Sequence, residues 1–309
     1  GFCYGVNRAV EGCKKILKED NGKTICCLGE IVHNKTVVEG LKKDGIKFID
    51  NISDAEDITI IRAHGVPKEV YENIKNSNIE ITDFTCPNVL KIHDIAKRYA
   101  DDGYFIVLCG DKKHPENIGT LSYCGENVYV VSNDKDVFNA LEVIEKSEVK
   151  KVLLISQTTF SVEKYFIIRE ILENELNRDI EFVSNNTICM ATELRQDETK
   201  KIASEVDFMI IIGGKNSSNT KKLFDVAKAN CKNTVCIENA DDLDISNIKS
   251  FNKIGIMAGA STPKKNIDEV VDESLVTNKD VFKNKISLDK KQQKKKEELR
   301  KGFLRIGKE

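Results

Sequence analysis

Short apolar, β-branched runs alternate with amphipathic stretches of about 10–16 residues along most of this chain, which is the pattern of strands joined by helices. The runs fall at 24–28, 57–61, 80–83, 104–108, 128–131, 152–155, 180–183, 208–212, 234–237 and 253–257. Their continuous apolar character suits strands buried on both faces. Helical periodicity occupies 6–18, 88–100, 162–176, 191–204 and 220–229. Strand, loop, helix and strand in repetition predict an α/β fold with parallel sheets, in which ligand loops lie at the carboxyl ends of the strands.

A threefold recurrence divides this pattern. Cys3 in GFCYGVNRAV, Cys86 in DFTCPNVLKI and Cys189 in NTICMATELRQ each precede a helical stretch. Downstream of each comes a strand and a polar loop, holding His33, His114 and Ser217 respectively. A second strand and loop then hold His64, Gln157-Thr158-Thr159 and Ser261. The order of cysteine loop, polar loop, polar loop therefore occurs three times. Length alone, at 309 residues, suggests about two domains; the recurrence predicts three lobes instead. They span 1–85, 86–183 and 184–271, around one site, with a basic tail or linker at 272–309. The strand–helix alternation is expected to stop near Val271.

Composition excludes several function classes. The longest apolar run, 104–109, has six residues, far short of the ~20 that a membrane helix needs. A formal net charge of −2 excludes the whole chain as an electrostatic nucleic-acid binder. The charge is uneven: 283–309 carries eleven Lys/Arg against four Asp/Glu. That segment reads either as a solvated tail or as a contact for RNA or an acidic partner. No signal peptide is visible in GFCYGVNRAV, so the ten cysteines are expected to be reduced thiols in the cytoplasm. Gly22-Lys23-Thr24 resembles the end of a phosphate-binding loop, but Leu17 stands where its first glycine must be. No G-x-G-x-x-G is present either, so a reductase built on this chain must take its electrons from a partner.

The cysteines contain no C-x-x-C pair, and any metal site must be assembled from residues far apart. The recurrence raises Cys3, Cys86 and Cys189 above the other seven. Three thiolates suit a 4Fe–4S cluster with one iron left free to act as a Lewis acid. Cys26, Cys27 and Cys109 lie in apolar runs and read as core. Of four histidines, His33, His64 and His114 sit in loops, while His93 lies within a helical stretch and reads as structural. Ser217, Ser218 and Asn219 follow Gly213-Gly214-Lys215 and open a helix, a setting for either an anion site or an ordinary N-cap. Converging His, Ser, Asn and Gln loops suit a small, highly anionic ligand such as a diphosphate. Glu116, in HPEN, is the obvious carboxylate in a ligand loop; it reads either as a general acid that keeps its proton when shielded from water or as a helix N-terminal carboxylate facing the dipole.

The ordered motifs GFCYGVNRA, GEIVHN, RAHGV, DFTCPNV, HPENIGT, SQTTFS, GGKNSSNT and AGAST resemble the 4-hydroxy-3-methylbut-2-enyl diphosphate reductase family over roughly residues 1–272. The resemblance implies a three-lobed α/β trefoil around an iron–sulfur cluster, with Cys3, Cys86 and Cys189 as its ligands. It implies diphosphate binding by His33, His64, His114, Ser217, Ser218, Asn219 and Ser261, and places Thr158 near the substrate hydroxyl. It implies Glu116 as the proton donor, and ferredoxin or flavodoxin as the electron donor. The other three-cysteine, three-lobed iron–sulfur family, quinolinate synthase, handles small carboxylates, and the GGKNSSN loop and HPE motif argue against it. Family members begin with a strand before the first cysteine motif. Cys3 stands two residues from Gly1, so the natural protein is expected to extend further, and a ligand so near a terminus is expected to be poorly held.

Overall fold

The structure is a computed structural model, and it describes residues 1–19, 22–75, 79–248, 250–277 and 281–282. The basic segment 283–309, and with it the expected RNA or acidic-partner contact, lies outside the described residues. The chain opens with α1 (Tyr4–Glu19). β1 (Ile25–Leu28), α2 (Lys35–Lys43), β2 (Lys47–Ile49), β3 (Ile58–Ile61), α3 (Lys68–Lys75) and β4 (Glu80–Asp83) follow. After α4 (Pro87–Asp101) come β5 (Phe105–Cys109), α5 (Pro115–Leu121), β6 (Val128–Val131), α6 (Asp134–Lys146), β7 (Lys151–Ser156), α7 (Val162–Glu175) and β8 (Glu181–Ser184). α8 (Met190–Ala203) leads into β9 (Phe208–Ile212), α9 (Ser218–Asn230), β10 (Thr234–Ile237), α10 (Ile245–Ile248), β11 (Ile254–Ala258), α11 (Lys264–Thr277) and β12 (Val281–Phe282).

The strands form three four-stranded parallel sheets of one topology: β2-β1-β3-β4, β6-β5-β7-β8 and β10-β9-β11-β12. In each, the first and second strands of the central pair run in direct register, as in Ile25↔Ile58, Phe105↔Val152 and Phe208↔Ile254. Burial follows position. The central strands β1, β3, β5, β9 and β11 are buried at every residue, while β2, β4 and β8 begin on an exposed residue. Continuous Ile, Val, Leu and Cys runs are what two-sided helix cover demands.

The expected end of the alternation near Val271 needs correction. α11 runs on to Thr277, and β12 pairs with β11 through Ile254↔Val281 and Gly255↔Phe282. A two-residue edge strand carries no apolar run for a sequence reading to detect. β2 escapes for the same reason: Lys47 is exposed and only Ile49 is buried.

Candidate active site

Functional side chains gather where the sheets point their carboxyl ends toward a common centre. Each sheet contributes the loop after its first central strand, the loop after its second, and, in two cases, the segment after its fourth strand. β4 runs into Cys86 and β8 into Cys189. The two cysteines are N-caps of α4 and α8 with nearly the same backbone, φ −61 ψ 133 and φ −65 ψ 133. Cys3 stands just before α1 and repeats their bonding. Its carbonyl accepts from Asn7 N at 2.9 Å, as that of Cys86 does from Leu90 N and that of Cys189 from Glu193 N, both at 3.0 Å.

The amide of each cysteine is also tied to the second ligand loop of a sheet. Cys86 N donates to Ala63 O at 3.0 Å, Cys189 N to Thr158 O at 2.9 Å, and Cys3 N to Ala260 O at 3.0 Å. Cys3 thus takes the place beside the third sheet that Cys86 and Cys189 hold beside the first and second. It is pinned at both sides, because Arg195 Nη2 donates to Gly1 O at 2.9 Å. The expectation that Cys3 would be poorly held is therefore wrong. Contacts between lobes, which no local sequence rule reveals, hold the segment in place.

All ten cysteines are free thiols. Cys26, Cys27 and Cys109 are fully buried in strands, as expected of core. Cys3, Cys86 and Cys189 line one cavity of about 100 Å³, together with His33, His64, His114, Glu116, Thr158, Ser217, Ser218, Asn219 and Ser261. Every residue singled out in the sequence as a site candidate therefore meets in this one place. Burial pushes the Cys86 thiol up to about 11, partly offset by the Asn88 amide, and the neighbouring thiols of Cys189 and Cys3 add to the rise. Burial raises Cys189 too, and the Cys3 thiol adds to it. Two thiols that resist ionisation, converging with that of Cys3, suit a cationic centre, which draws off their protons. Gly5 makes the close approach feasible, because a Cβ there would fall 2.6 Å from Cys86 Sγ. Asn88, not singled out in the sequence, donates from Nδ2 to Cys189 Sγ at 3.2 Å and so joins two cysteine segments.

The polar end of the cavity is built differently. His33 and His64 stack with ring centres 4.2 Å apart, and His114 meets them edge-on at 5.3 and 5.5 Å. Burial lowers the pKa of all three: His33 is lowered, His64 lies well below the usual histidine range, and His114 falls to about 4. The rings are neutral near pH 7, so each offers one N–H donor. Buried His33 Nε2, His64 Nδ1 and both side-chain atoms of Asn219 have no hydrogen-bond partner within the protein. Unsatisfied buried polar atoms facing a cavity are costly unless a ligand meets them. Ser217 caps α9, accepting from Thr220 N at 3.3 Å, and the α9 amides behind it add a positive helix end. No lysine or arginine lines this cavity among the described residues. An anion here must be held by neutral donors.

Glu116 lies between the two ends. It is the second residue of α5, after Pro115, and is 2% exposed. Thr158 clamps it, with N donating to Oε1 at 2.6 Å and Oγ1 donating to Oε2 at 2.7 Å. Burial raises its pKa to about 7, against the lowering from both Thr158 bonds. The adjacent Gln157 takes Asn117 Nδ2 on Oε1 at 2.9 Å and donates to Thr159 Oγ1 at 2.8 Å, and Thr159 Oγ1 donates to Ser218 Oγ at 3.0 Å. This chain of bonds sets the second-sheet loop against the third. His93 stays outside the cavity, buried and stacked on Tyr123 at 4.6 Å, in keeping with a structural role.

Among the described residues three like four-stranded sheets turn their ligand loops to a shared cavity, and comparison with known proteins gives the family. The model of the LytB protein family matches residues 1–274, and the chain belongs to that family. It is 39% identical over 274 residues to the 4-hydroxy-3-methylbut-2-enyl diphosphate reductase of Alkaliphilus oremlandii, covering 88% of this chain and 95% of the relative. The reductase of the same name from Clostridioides difficile is 41% identical over 275 residues, with the same coverage of both chains. Among solved structures, the E-1-hydroxy-2-methyl-but-2-enyl-4-diphosphate reductase from Plasmodium falciparum superposes with a TM-score of 0.81 at 31% identity. That superposition covers 99% of this chain and 95% of the other. A structure of (E)-4-hydroxy-3-methyl-but-2-enyl diphosphate reductase, the terminal enzyme of the non-mevalonate pathway, gives a TM-score of 0.64 at 38% identity, covering 89% and 96%. Among the described residues, no helix is long and apolar enough to cross a membrane.

Proposed function

We propose that this chain is an oxidoreductase that carries out the two-electron reductive dehydration of 4-hydroxy-3-methylbut-2-enyl diphosphate to isopentenyl and dimethylallyl diphosphate. The names of its relatives supply the substrate class, and one observation on this chain carries the reading: a buried, raised-pKa carboxyl, Glu116, stands between a thiol end and an anion-binding end of one cavity. Cys3, Cys86 and Cys189 would hold a 4Fe–4S cluster; they fit one because all three are free and converge on the cavity from three helix starts. Such a cluster, when bound, supplies electrons one at a time and a Lewis acid for a substrate oxygen.

The protein's own residues do the rest. His33, His64, His114, Ser217, Ser218, Asn219 and Ser261 bind the diphosphate, supplying N–H and O–H donors to an anion that arrives fully charged. Anchoring that end fixes the reacting hydroxyl relative to the acid. Glu116 at about pH 7 is substantially protonated, and it delivers the proton without which hydroxide is a poor leaving group. Thr158 holds both carboxyl oxygens of Glu116 and, as the family resemblance implies, would lie near the substrate hydroxyl. Ferredoxin or flavodoxin, as the family resemblance implies, serves as the electron donor. The test is anaerobic turnover: iron–sulfur-reconstituted, dithionite-reduced protein consumes the allylic hydroxy-diphosphate and releases both products. Cluster-loaded protein that consumes none of it overturns the assignment.

A further inference from the structure

Arg195 is a buried cation beside the cysteine cavity that the mechanism above does not use. It lies on α8, six residues after Cys189, and is only 8% exposed. Its Nη1 donates to Ala191 O at 3.1 Å and its Nη2 to Gly1 O at 2.9 Å. One carbonyl is two residues after Cys189 and the other two residues before Cys3, so the guanidinium bridges two of the three cysteine segments. Arg8 on α1 makes a related tie, donating to Thr85 O and Asp83 O ahead of Cys86 at 3.0 Å each. Arg8, however, is only half-buried and lies over the Phe84 ring. Both hydrogen bonds of Arg195 go to neutral carbonyls; burial disfavours its charge, and Cys3 and Cys189, once ionised, would favour it. Arginine does not escape such a cost by losing its proton. A buried guanidinium in this position therefore requires an anionic neighbour, and the neighbour on hand is the thiolate set.

We propose that Arg195 is the built-in countercharge of the thiolate-ligated centre and sets how readily that centre accepts an electron. The proposal rests on the cluster reading given above. In the step concerned, one electron passes from an external reductant to the cluster; no bond forms or breaks and no proton moves, because the guanidinium stays charged throughout. The cluster becomes one unit more negative. A fixed positive charge nearby favours that product over the starting state and so raises the reduction potential. Arg195 acts through the cluster and is a positioning and tuning residue.

The experiment is an anaerobic potentiometric titration of the reconstituted full chain, followed by visible absorption and paramagnetic resonance, for wild type, Arg195→Gln and Arg195→Lys. At the wild-type midpoint, Arg195→Gln is expected to show a reduced-to-oxidised ratio at least about tenfold lower, a shift of about 59 mV for one electron. Arg195→Lys, which keeps the charge and loses the fork, is expected to stay within about threefold of wild type. An Arg195→Gln midpoint equal to wild type, with the cluster intact, overturns the proposal. So does an Arg195→Lys ratio lowered about tenfold or more at the wild-type midpoint, because charge is then not what acts; that variant alone decides the matter if Arg195→Gln cannot hold iron. Wild-type protein that takes up no cluster overturns the cofactor assignment, and this proposal with it.

Discussion

The two ends of the cavity follow opposite rules. At the thiol end the three lobes agree: one cysteine at a helix start, its carbonyl capping the first turn, its amide on the second loop of a sheet. At the polar end they disagree. The first sheet presents His33 and His64, the second His114, Glu116 and Thr158, and the third Ser217, Ser218, Asn219 and Ser261. A repeated frame suits a ligand with equivalent corners, and a varied one suits a molecule whose ends differ. The chain keeps its symmetry where it would grip a metal centre and abandons it where, on the proposed function, it would tell a diphosphate from a hydroxyl.

Substitutions can break either half separately. The largest expected effect is at the symmetric end, where Cys189→Ala abolishes the 4Fe–4S visible and paramagnetic spectrum; an unaltered spectrum would strike Cys189 from the ligand set. Next is Glu116→Gln, which keeps cluster and substrate binding but loses about 10²–10⁴ in rate. The same variant tests the sign of the pH effect. Burial holds the Glu116 pKa at about 7, above the usual carboxylate range, so the proton is present below that value and is lost as pH rises through it. Wild-type turnover therefore falls on the alkaline side of about pH 7, and a Glu116→Gln pH–rate profile that keeps this limb would assign it to another group. At the asymmetric end, Asn219→Ala removes a buried amide with no protein partner, and KM is expected to rise about tenfold to a hundredfold with the cluster spectrum intact. The smallest effect is structural. A Cβ at Gly214 would meet the carbonyl oxygen of His33 at 2.6 Å, so Gly214→Ala must push the third-sheet loop off the first. That costs about 1–3 kcal/mol in denaturant unfolding, and unchanged stability would show that the two loops do not bear on each other.

Much of this was legible in the sequence, for local reasons. Central strands such as Phe105–Cys109 and Phe208–Ile212 announce themselves because two-sided burial writes an unbroken apolar run. The cysteine loops are legible because the same order of loops recurs at similar spacing. β2 and β12 are not, since edge strands of two or three residues leave no pattern. α5 has seven residues and carries its meaning in Glu116 and Asn117, which are buried for the site rather than for a core stripe. Asn88 and Arg195 stayed hidden because each acts on a cysteine segment remote in sequence, Asn88 on Cys189 and Arg195 on Gly1. The placing of Cys3 beside the third sheet was hidden as well, for its link runs from one end of the chain to Ala260.

That last link has a mechanical consequence. The lobes form a ring with three seams. At two of them the backbone itself passes across, from β4 through Cys86 into α4 and from β8 through Cys189 into α8. At the third, between the last sheet and α1, Cys3 N donates to Ala260 O and Arg195 on α8 donates to Gly1 O. A ligand that grasps one thiol at each seam would tie all three lobes to one point, making the loading of the site and the locking of the ring a single event.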